Sequence, residues 1–424
     1  RVVGLVSLGD PARERVFYIN QDGVKLYGGF SGQETSREQR NPDLYPTILD
    51  GNRGDVNLTT DNCYRVLYLD GTTANGVLTA ATVIDGFTIQ NGNADFFGAN
   101  GGAGMYIEGN ASQTATAPLI NNCKFANNNV SFAGAGIYLA GFNGNCSPTI
   151  SDCVFESNTS DLFGAAIHFD AADGRTAPSI EACIFKQNTA TLGGGAINIG
   201  GFGMSDLTTQ IVNCVFDQNG ANHIRYSEGT MNQQPTFTNC TFNGASTQAI
   251  DISVYENSNS PIHFLNCIFW NNNALTDDDT AIAPQNCIVG NDTNNTFAGS
   301  DGNINQNPLF VDAANGDLSL QASSPAVESG TNSAVSGIAG DIDGNARIIG
   351  CSVDIGAYEF QNPQVTPSII YVDQNVIGSN KDGTSWANAF TDLQDAIDAF
   401  STNCNTEIWV AQGIYKPTKD NPAS

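Results

Sequence analysis

The stretches NNCKFANNN (121–129), SDCVFESNT (151–159), EACIFKQNT (181–189), VNCVFDQNG (212–220), TNCTFNGAS (238–246) and LNCIFWNNN (265–273) rewrite one pattern, Cys-x-Phe-x-x-Asn, before it decays into QNCIVGND (285–292). The cysteines Cys123, Cys153, Cys183, Cys214, Cys240, Cys267 and Cys287 follow one another at 30, 30, 31, 26, 27 and 20 residues. Between them runs a second motif, GAGM, GAGI, GAAI and GGAI, ending at Met105, Ile137, Ile167 and Ile197, with weaker echoes at Ile224, Ile250 and Ile282. A recurring unit of this size marks a solenoid, in which each repeat buries its apolar face only against its neighbours.

Within a repeat the apolar residues alternate, as Cys123 and Phe125 do around Lys124, or Ile137 and Leu139 around Tyr138. Period two means strand. Two or three short strands per repeat of about 30 residues, broken by Gly, Asn and Pro, predict an all-β, single-stranded parallel β-helix with coils about 4.8 Å apart. The core ladder is then Cys123 with Phe125, Cys153 with Phe155, Cys183 with Phe185, Cys214 with Phe216, Cys240 with Phe242, and Cys267 with Phe269, one pair per coil. Phe fills the lumen, and Cys behaves as a small buried apolar group. Asn128, Asn158, Asn188, Asn219 and Asn272 fall where the strand turns, where stacked amides bond one another and the backbone. Gly-Gly or Gly-Ala supplies the positive φ of a corner. Pro118, Pro148, Pro178, Pro235 and Pro261 stand just before strands, where a missing N–H costs least.

A chain of 424 residues would ordinarily divide into two or three globular domains, but a solenoid grows without dividing. With 43 acidic against 16 basic residues, a net charge of −27, the surface is unsuited to nucleic acid, and no hydrophobic run approaches a membrane span. Eleven cysteines suggest disulfides, yet stacked cysteines with near-parallel Cβ vectors match disulfide geometry poorly, so the ladder is expected to be free thiols. Cys63, Cys146, Cys351 and Cys404 lie outside it and are not paired by sequence. No window has zinc-site spacing.

The segments NPLFVDAANGDLSLQASSPAVESG (307–330), GDIDGNARIIGCSVDIGAYEF (340–360) and DGFTIQNGNA (85–94) resemble those of pectate-lyase-like right-handed parallel β-helix proteins of giant secreted or surface adhesins of Bacteroidota. The FxxN and GGAI pair is also similar to the repeats of chlamydial polymorphic outer-membrane proteins. The resemblance implies a β-helix unit over residues 1–360, with repeating coils at about 87–291 and a closing segment at 307–360. Residues 361–368 (QNPQVTPS) read as a linker. Residues 369–424 look like the opening of a following unit: a strand, a short amphipathic capping helix from about Leu393 to Phe400, and a strand. The first 368 residues then read as the remainder of such a unit, as in a tandem array cut out of phase. The alternative is a head-to-tail polymer in which each chain caps the next.

Function is expected outward of the ladder. Parallel β-helices include polysaccharide lyases and hydrolases, whose chemistry needs a basic residue beside a cation-neutralised uronate, or two carboxylates at a set separation. Between Gly86 and Phe360 the cations are Lys124, Arg175, Lys186, Arg225 and Arg347, without recurrence on one strand position, and His168, His223 and His263 lack a paired Asp or a Gly-His-Gly context. No catalytic residue is assigned. The leading expectation is a non-enzymatic structural or adhesive rod, secreted or cell-surface anchored, whose neighbours are β-helix units of the same polypeptide and, laterally or end to end, identical chains. A carbohydrate-binding module is the alternative, with cell-surface glycans as ligands, and a lyase or hydrolase the third reading.

Sugar-stacking candidates are Tyr106 and Tyr138, outward beside the Ile ladder with His168, Asn198 and Asp251, together with Phe142, Phe202 and Met204 in the loops that follow; Tyr on an outer strand is equally a good β former. The position between Cys and Phe is Val154, Ile184, Val215 or Ile268 in four of six coils, so a loop of the chain covers that face or another chain does; lateral association is the interface expectation. Asp341, Asp343 and Asn345 in DIDGN offer alternating oxygens for a structural Ca²⁺, against an ordinary Asx-Gly turn. Asp277, Asp278 and Asp279 could hold calcium or form half of a hydrolase pair, against a solvated loop. Arg53-Gly54-Asp55 is too short to carry information.

Overall fold

The computed structural model describes residues 10, 12–72, 76–95, 101–110, 115–141, 144–171, 174–200, 209–227, 235–252, 261–276, 282–291, 296–297, 299–361, 368–377, 380–399 and 406–419. Every coil contributes one short strand to each of three main sheets, and some coils add two-residue strands such as Asn129–Val130 and Asn145–Cys146. One coil runs through Leu119–Asn121, Lys124–Ala126 and Ile137–Ala140, and the next repeats it as Thr149–Ser151, Val154–Glu156 and Ile167–Asp170. Stacking yields three parallel sheets of nine strands each, here called the middle, phenylalanine and isoleucine sheets. Register is strict: Phe125 pairs with Phe155, Phe155 with Phe185 and Ile137 with Ile167. It persists where the repeat shortens, with Phe185 opposite Phe216, Phe216 opposite Phe242 and Phe242 opposite Phe269. Coils begin at Phe17–Ile19, Lys25–Tyr27 and Thr47–Asp50, well before the expected start near residue 87, because these early strands pair in register without carrying the Cys-x-Phe signature.

Strict register places identical groups one above another. The rings of Phe125, Phe155, Phe185, Phe216, Phe242 and Phe269 stack face to face at 4.6 to 4.9 Å with interplanar angles of 3 to 6°, all at 0–1% exposure. Burying each of these side chains is worth about 1.5–3 kcal/mol. The column is not isolated in the lumen, as a single stack per coil would have it. A second stack, Phe237 on Phe264 at 4.8 Å, lines the middle sheet and meets the edges of Phe242 and Phe269, while the His223 ring lies tilted beside Phe216 and Phe242. The ladder cysteines Cys123, Cys153, Cys183, Cys214, Cys240, Cys267 and Cys287 are free and buried, each thiol donating to the carbonyl two residues earlier, as Cys153 Sγ does to Ser151 O at 3.1 Å. They sit at the corner before the phenylalanine strand rather than inside it, since that strand starts one residue later.

Corners are made by more than glycine. The residue before each ladder cysteine, Asn122, Asp152, Ala182, Asn213, Asn239, Asn266 and Asn286, has φ of +49 to +53°. The residue two past Phe does the same at Asn127, Ser157, Gln187, Gln218 and Asn271. One left-handed residue turns the chain sharply at no cost in length, and Asn and Asp tolerate it best. Strands begin directly after Pro118, Pro148, Pro178, Pro235 and Pro261, as expected.

The Asn ladder runs through the core. Asn128 Nδ2 donates to Asn158 Oδ1 at 3.0 Å, Asn158 to Asn188 at 2.9 Å, and Asn188 to Asn219 at 2.9 Å, while each Nδ2 also donates to a carbonyl of the neighbouring coil, such as Phe125 O for Asn158. The next coil has Ala245 at this position and breaks the series. His223 repairs it: Asn219 Nδ2 lies 3.3 Å from His223 Nδ1, and His223 Nε2 lies 3.1 Å from Asn272 Oδ1. The ring is therefore the neutral Nε2–H tautomer, accepting on one side and donating on the other.

Residues 310–360 lie along the outside of the phenylalanine sheet. Phe310, Leu318, Leu320, Ala326, Ile355 and Ala357 pack on Val215, Ile268 and Ile288, with Ile184 at the margin. Asn239 Nδ2 donates to Asp354 O, and Thr331 N to Asn266 Oδ1. Further on, Ser368–Val372 pairs in parallel with Thr406–Val410, and the helix Leu393–Ala399 packs against both strands. Among the described residues no helix is long and apolar enough to cross a membrane.

Candidate functional site

Side chains on the outer face of the isoleucine sheet form a column as orderly as the core. Tyr18, Tyr68, Tyr106 and Tyr138 succeed one another at 5.3 to 5.4 Å, and His168 continues the series at 5.0 Å. Their hydroxyls reach the carboxylates that end the strands: Tyr18 to Asp70, Tyr68 to Glu108, and Tyr138 to Asp170 at 2.7 Å. Burial and the Asp70 contact push the Tyr18 phenol up to about 12, and burial, opposed by the Tyr68 hydrogen bond, raises the Glu108 carboxyl.

This column is covered rather than open. Tyr138 is 4% exposed, His168 8%, Asn198 1% and Asp251 8%, while Tyr106 is half-buried. The Arg65 guanidinium lies over the Tyr106 ring at 4.3 Å, Phe132 and Phe163 pack beside Tyr138, and Arg225 lies 4.5 Å over Phe163 and 3.6 Å from Asp251. Tyr138 therefore has no free face for a sugar, contrary to the expectation from its outward position, because turns of the same chain fold over the sheet. Phe142, Phe202 and Met204, the other candidates, lie outside the described residues, as does the Asp277–Asp279 run. Tyr18, at 45% exposure, is the open end of the column.

Of the three histidines in the coils, His168 and His223 are buried and not placed for proton transfer. Burial holds both His168 and His223 near a pKa of about 4, and His168 Nδ1 accepts from Asn198 Nδ2 at 3.0 Å.

The expected lateral interface is corrected by the outer layer. Val215 and Ile268 are buried at 3% and 1% under the chain's own residues 310–360, and Ile184 packs against the same cluster, while Val154 lies outside it and is half-buried. Apolar outer positions are explained by an internal partner.

The DIDGN segment is likewise a turn. Asp341 Oδ1 accepts from the backbone N of Asp343 and Asn345 at 3.1 and 2.8 Å, and Oδ2 accepts from Glu359 N at 3.0 Å. N–H donors already engage both Asp341 oxygens, and among the described residues no group of three His, Cys, Asp or Glu is arranged to hold a metal. The DIDGN loop instead frames Arg347, which is 1% exposed and donates to Ala357 O, Asp354 O and Gly356 O at 2.9 to 3.1 Å while pairing with Glu359 at 3.2 Å. No local periodicity announces that role; a lone Arg between apolar residues was its only sequence signal.

A shallow depression of about 640 Å³ opens at the N-terminal end, lined by Lys25, Leu26, Tyr27, Phe30, Glu34, Arg37 and Phe87. Arg37 lies over the Tyr27 ring at 4.9 Å. Sequence reasoning passed over this site, since its residues come from coils without the repeat motif.

Residues 112–302 match the family model described as right handed beta helix region. The fold is a right-handed parallel β-helix. No curated protein and no solved structure matches the chain. Right-handed β-helices of this broad kind include enzymes and non-enzymes, so activity must be argued from the surface of the helix and not from its coils.

Proposed function

We propose that the chain is a structural rod, a unit of a larger extracellular or cell-surface protein that holds attachment sites away from the cell. The observation that carries this reading is the use of the interior for ladders, with His223 bridging the gap that Ala245 leaves in the Asn series. Phe, Cys and Asn ladders within the nine stacked coils are committed to one another, in about 40 Å of continuously hydrogen-bonded length. The carboxylates and rings in the outer column of the isoleucine sheet are also engaged with one another, which favours support over catalysis there. An oxidising exterior suits the thiols, because Cys351 is disulfide-bonded and the nine free cysteines among the described residues are all buried from oxidants. Glycan attachment is a second reading, favoured by the open depression where Tyr27, Phe30 and Phe87 stand beside Lys25 and Arg37.

Incubating the protein with pectin, alginate and galactans, with and without calcium, tests the non-enzymatic reading. A new reducing end or an unsaturated product would overturn it. A glycan array separates the second reading from the first: binding abolished by Tyr27→Ala or Phe30→Ala would place a sugar site in the depression.

A further inference from the structure

The cysteines of this chain can be accounted for one by one. There are eleven. Nine of them, the seven of the ladder together with Cys63 and Cys146, are free and buried, while Cys351 is disulfide-bonded. The one cysteine left is Cys404, which lies outside the described residues. Since none of the nine free thiols can be the partner of Cys351, the count points to Cys404.

Cys351 is a firm point on the outside of the coils. Asn332 Nδ2 donates to Cys351 O at 2.7 Å, and Asn332 Oδ1 accepts from Val353 N at 2.8 Å. Ile349 N donates to Glu359, the carboxylate paired with buried Arg347. Gly330 N donates to Val353 O, and the next residue, Thr331, exchanges two hydrogen bonds with the Asn266 side chain at a corner of the phenylalanine sheet. Through these bonds Cys351 is fixed to the outer layer 310–360 and by way of that layer to the coils. Cys404 stands two residues before Thr406–Val410, the strand that pairs along its five residues with Ser368–Val372. A bond between the two cysteines therefore runs from the outer layer to the small two-stranded sheet, in parallel with the backbone that joins Phe360 to Ser368. One covalent connection limits how far apart two bodies can be. A second, at a separate point, also limits their relative rotation, because a cross-link removes conformations from the ensemble.

We infer that Cys351 and Cys404 form a disulfide strap that ties the Ser368–Val372 and Thr406–Val410 sheet to the outer layer 310–360 and keeps the two from swivelling about the connection between them. The strap rests on the rod reading, whose oxidising exterior it needs, and supplies that rod with stiffness past its last coil. In its formation the two thiols give up two protons and two electrons to a small-molecule or protein disulfide, whose own S–S bond is cleaved to two thiols.

The test takes the full chain folded in a buffer of oxidised and reduced glutathione, denatures it in N-ethylmaleimide and counts adducts by intact mass. Nine adducts are expected, rising to eleven when a reductant precedes the label. Trypsin, cutting after Arg347, Lys381 and Lys419, places the two cysteines on separate peptides, so the unreduced digest should contain 348–381 joined to 382–419. Eleven adducts without reductant, or Cys351 joined to any other cysteine, overturns the pairing. The strap itself is read by small-angle scattering of the oxidised chain, the same sample after dithiothreitol, and Cys404→Ser. Reduction and substitution should broaden the pair-distance distribution alike, since the nine other cysteines offer the reductant no bond to break. Superimposable profiles overturn the strap. An elongated particle in every sample would then leave the rod reading standing, whereas a compact one would remove that reading as well.

Discussion

His223 substitutes for an absent Asn in the core ladder, and its protonation should break that ladder in a measurable way. The ring is 0% exposed and accepts from Asn219 at Nδ1, so a second proton would set an N–H against an amide N–H₂. Burial depresses its pKa from 6.5 to about 4, and the hydrogen bond to Asn272 only partly offsets this. A histidine depressed in the folded state binds its proton more readily when unfolded, so its stabilising contribution is complete above about pH 6.5 and declines as pH falls toward 4. Over that pH range the loss is on the order of 3 kcal/mol, at about 1.4 kcal/mol per pH unit for one proton. With three histidines in the chain, imidazole ¹⁵N resonances can be followed individually. His223 should stay in the Nε2–H form to about pH 4. His223→Gln, which keeps one acceptor and one donor, should flatten the acid decline of the urea midpoint relative to the native chain. Protonation of His223 near the ordinary imidazole value of about 6.5, or superimposable pH profiles for the two proteins, would refute the bridging role.

Other positions yield sharper stability expectations. Asn158→Ala removes an amide that donates twice and accepts from Asn128 N and Nδ2, and should cost about 3 kcal/mol or more by urea titration, because each buried group left unpaired costs about 1–3 kcal/mol. Phe185→Ala, between rings at 4.9 and 4.8 Å, should cost about 3–5 kcal/mol. Ala182→Gly, at φ +51°, should raise stability by about 0.5–1 kcal/mol, and a loss would show that the corner is not left-handed. Ellman's reagent should leave the free thiols unmodified in the native protein and label them in denaturant; rapid native labelling of any ladder cysteine would contradict its burial.

The coils were legible because their residues answer to their immediate surroundings along the stack. Cys123, Phe125 and Asn128 each repeat the role of the residue about 30 positions on, so periodicity alone places them. Phe216, Phe242 and Phe269 keep that place although their spacing shrinks, because the shortening is taken up outside the phenylalanine strand; their neighbours Phe237, Phe264 and His223 carry no repeat signature and were missed. The left-handed corners were harder to see. Asp152, Ala182 and Asn213 share a backbone angle but no common side chain, and only the two neighbouring strands impose it. The outer faces were hardest, since they depend on segments far away in sequence. Val215 and Ile268 announced that something covers them, yet nothing local distinguishes residues 310–360 of the same chain from a second chain. Tyr138 looked open for the same reason: its covers, Phe132, Phe163 and Asp170, come from turns and from the next coil.

That contrast bears on where a ligand can act. A coil position is fixed by stacking and cannot change without disturbing both neighbours, so selection for binding must work on residues that stacking leaves free. Among the described residues, open aromatic surface of this kind lines the depression around Tyr27 and Phe30, where Phe30 is 39% exposed. A ligand held there should lose affinity in Phe30→Ala while the urea midpoint of the coils stays unchanged; a variant that loses both would make the residue a structural one.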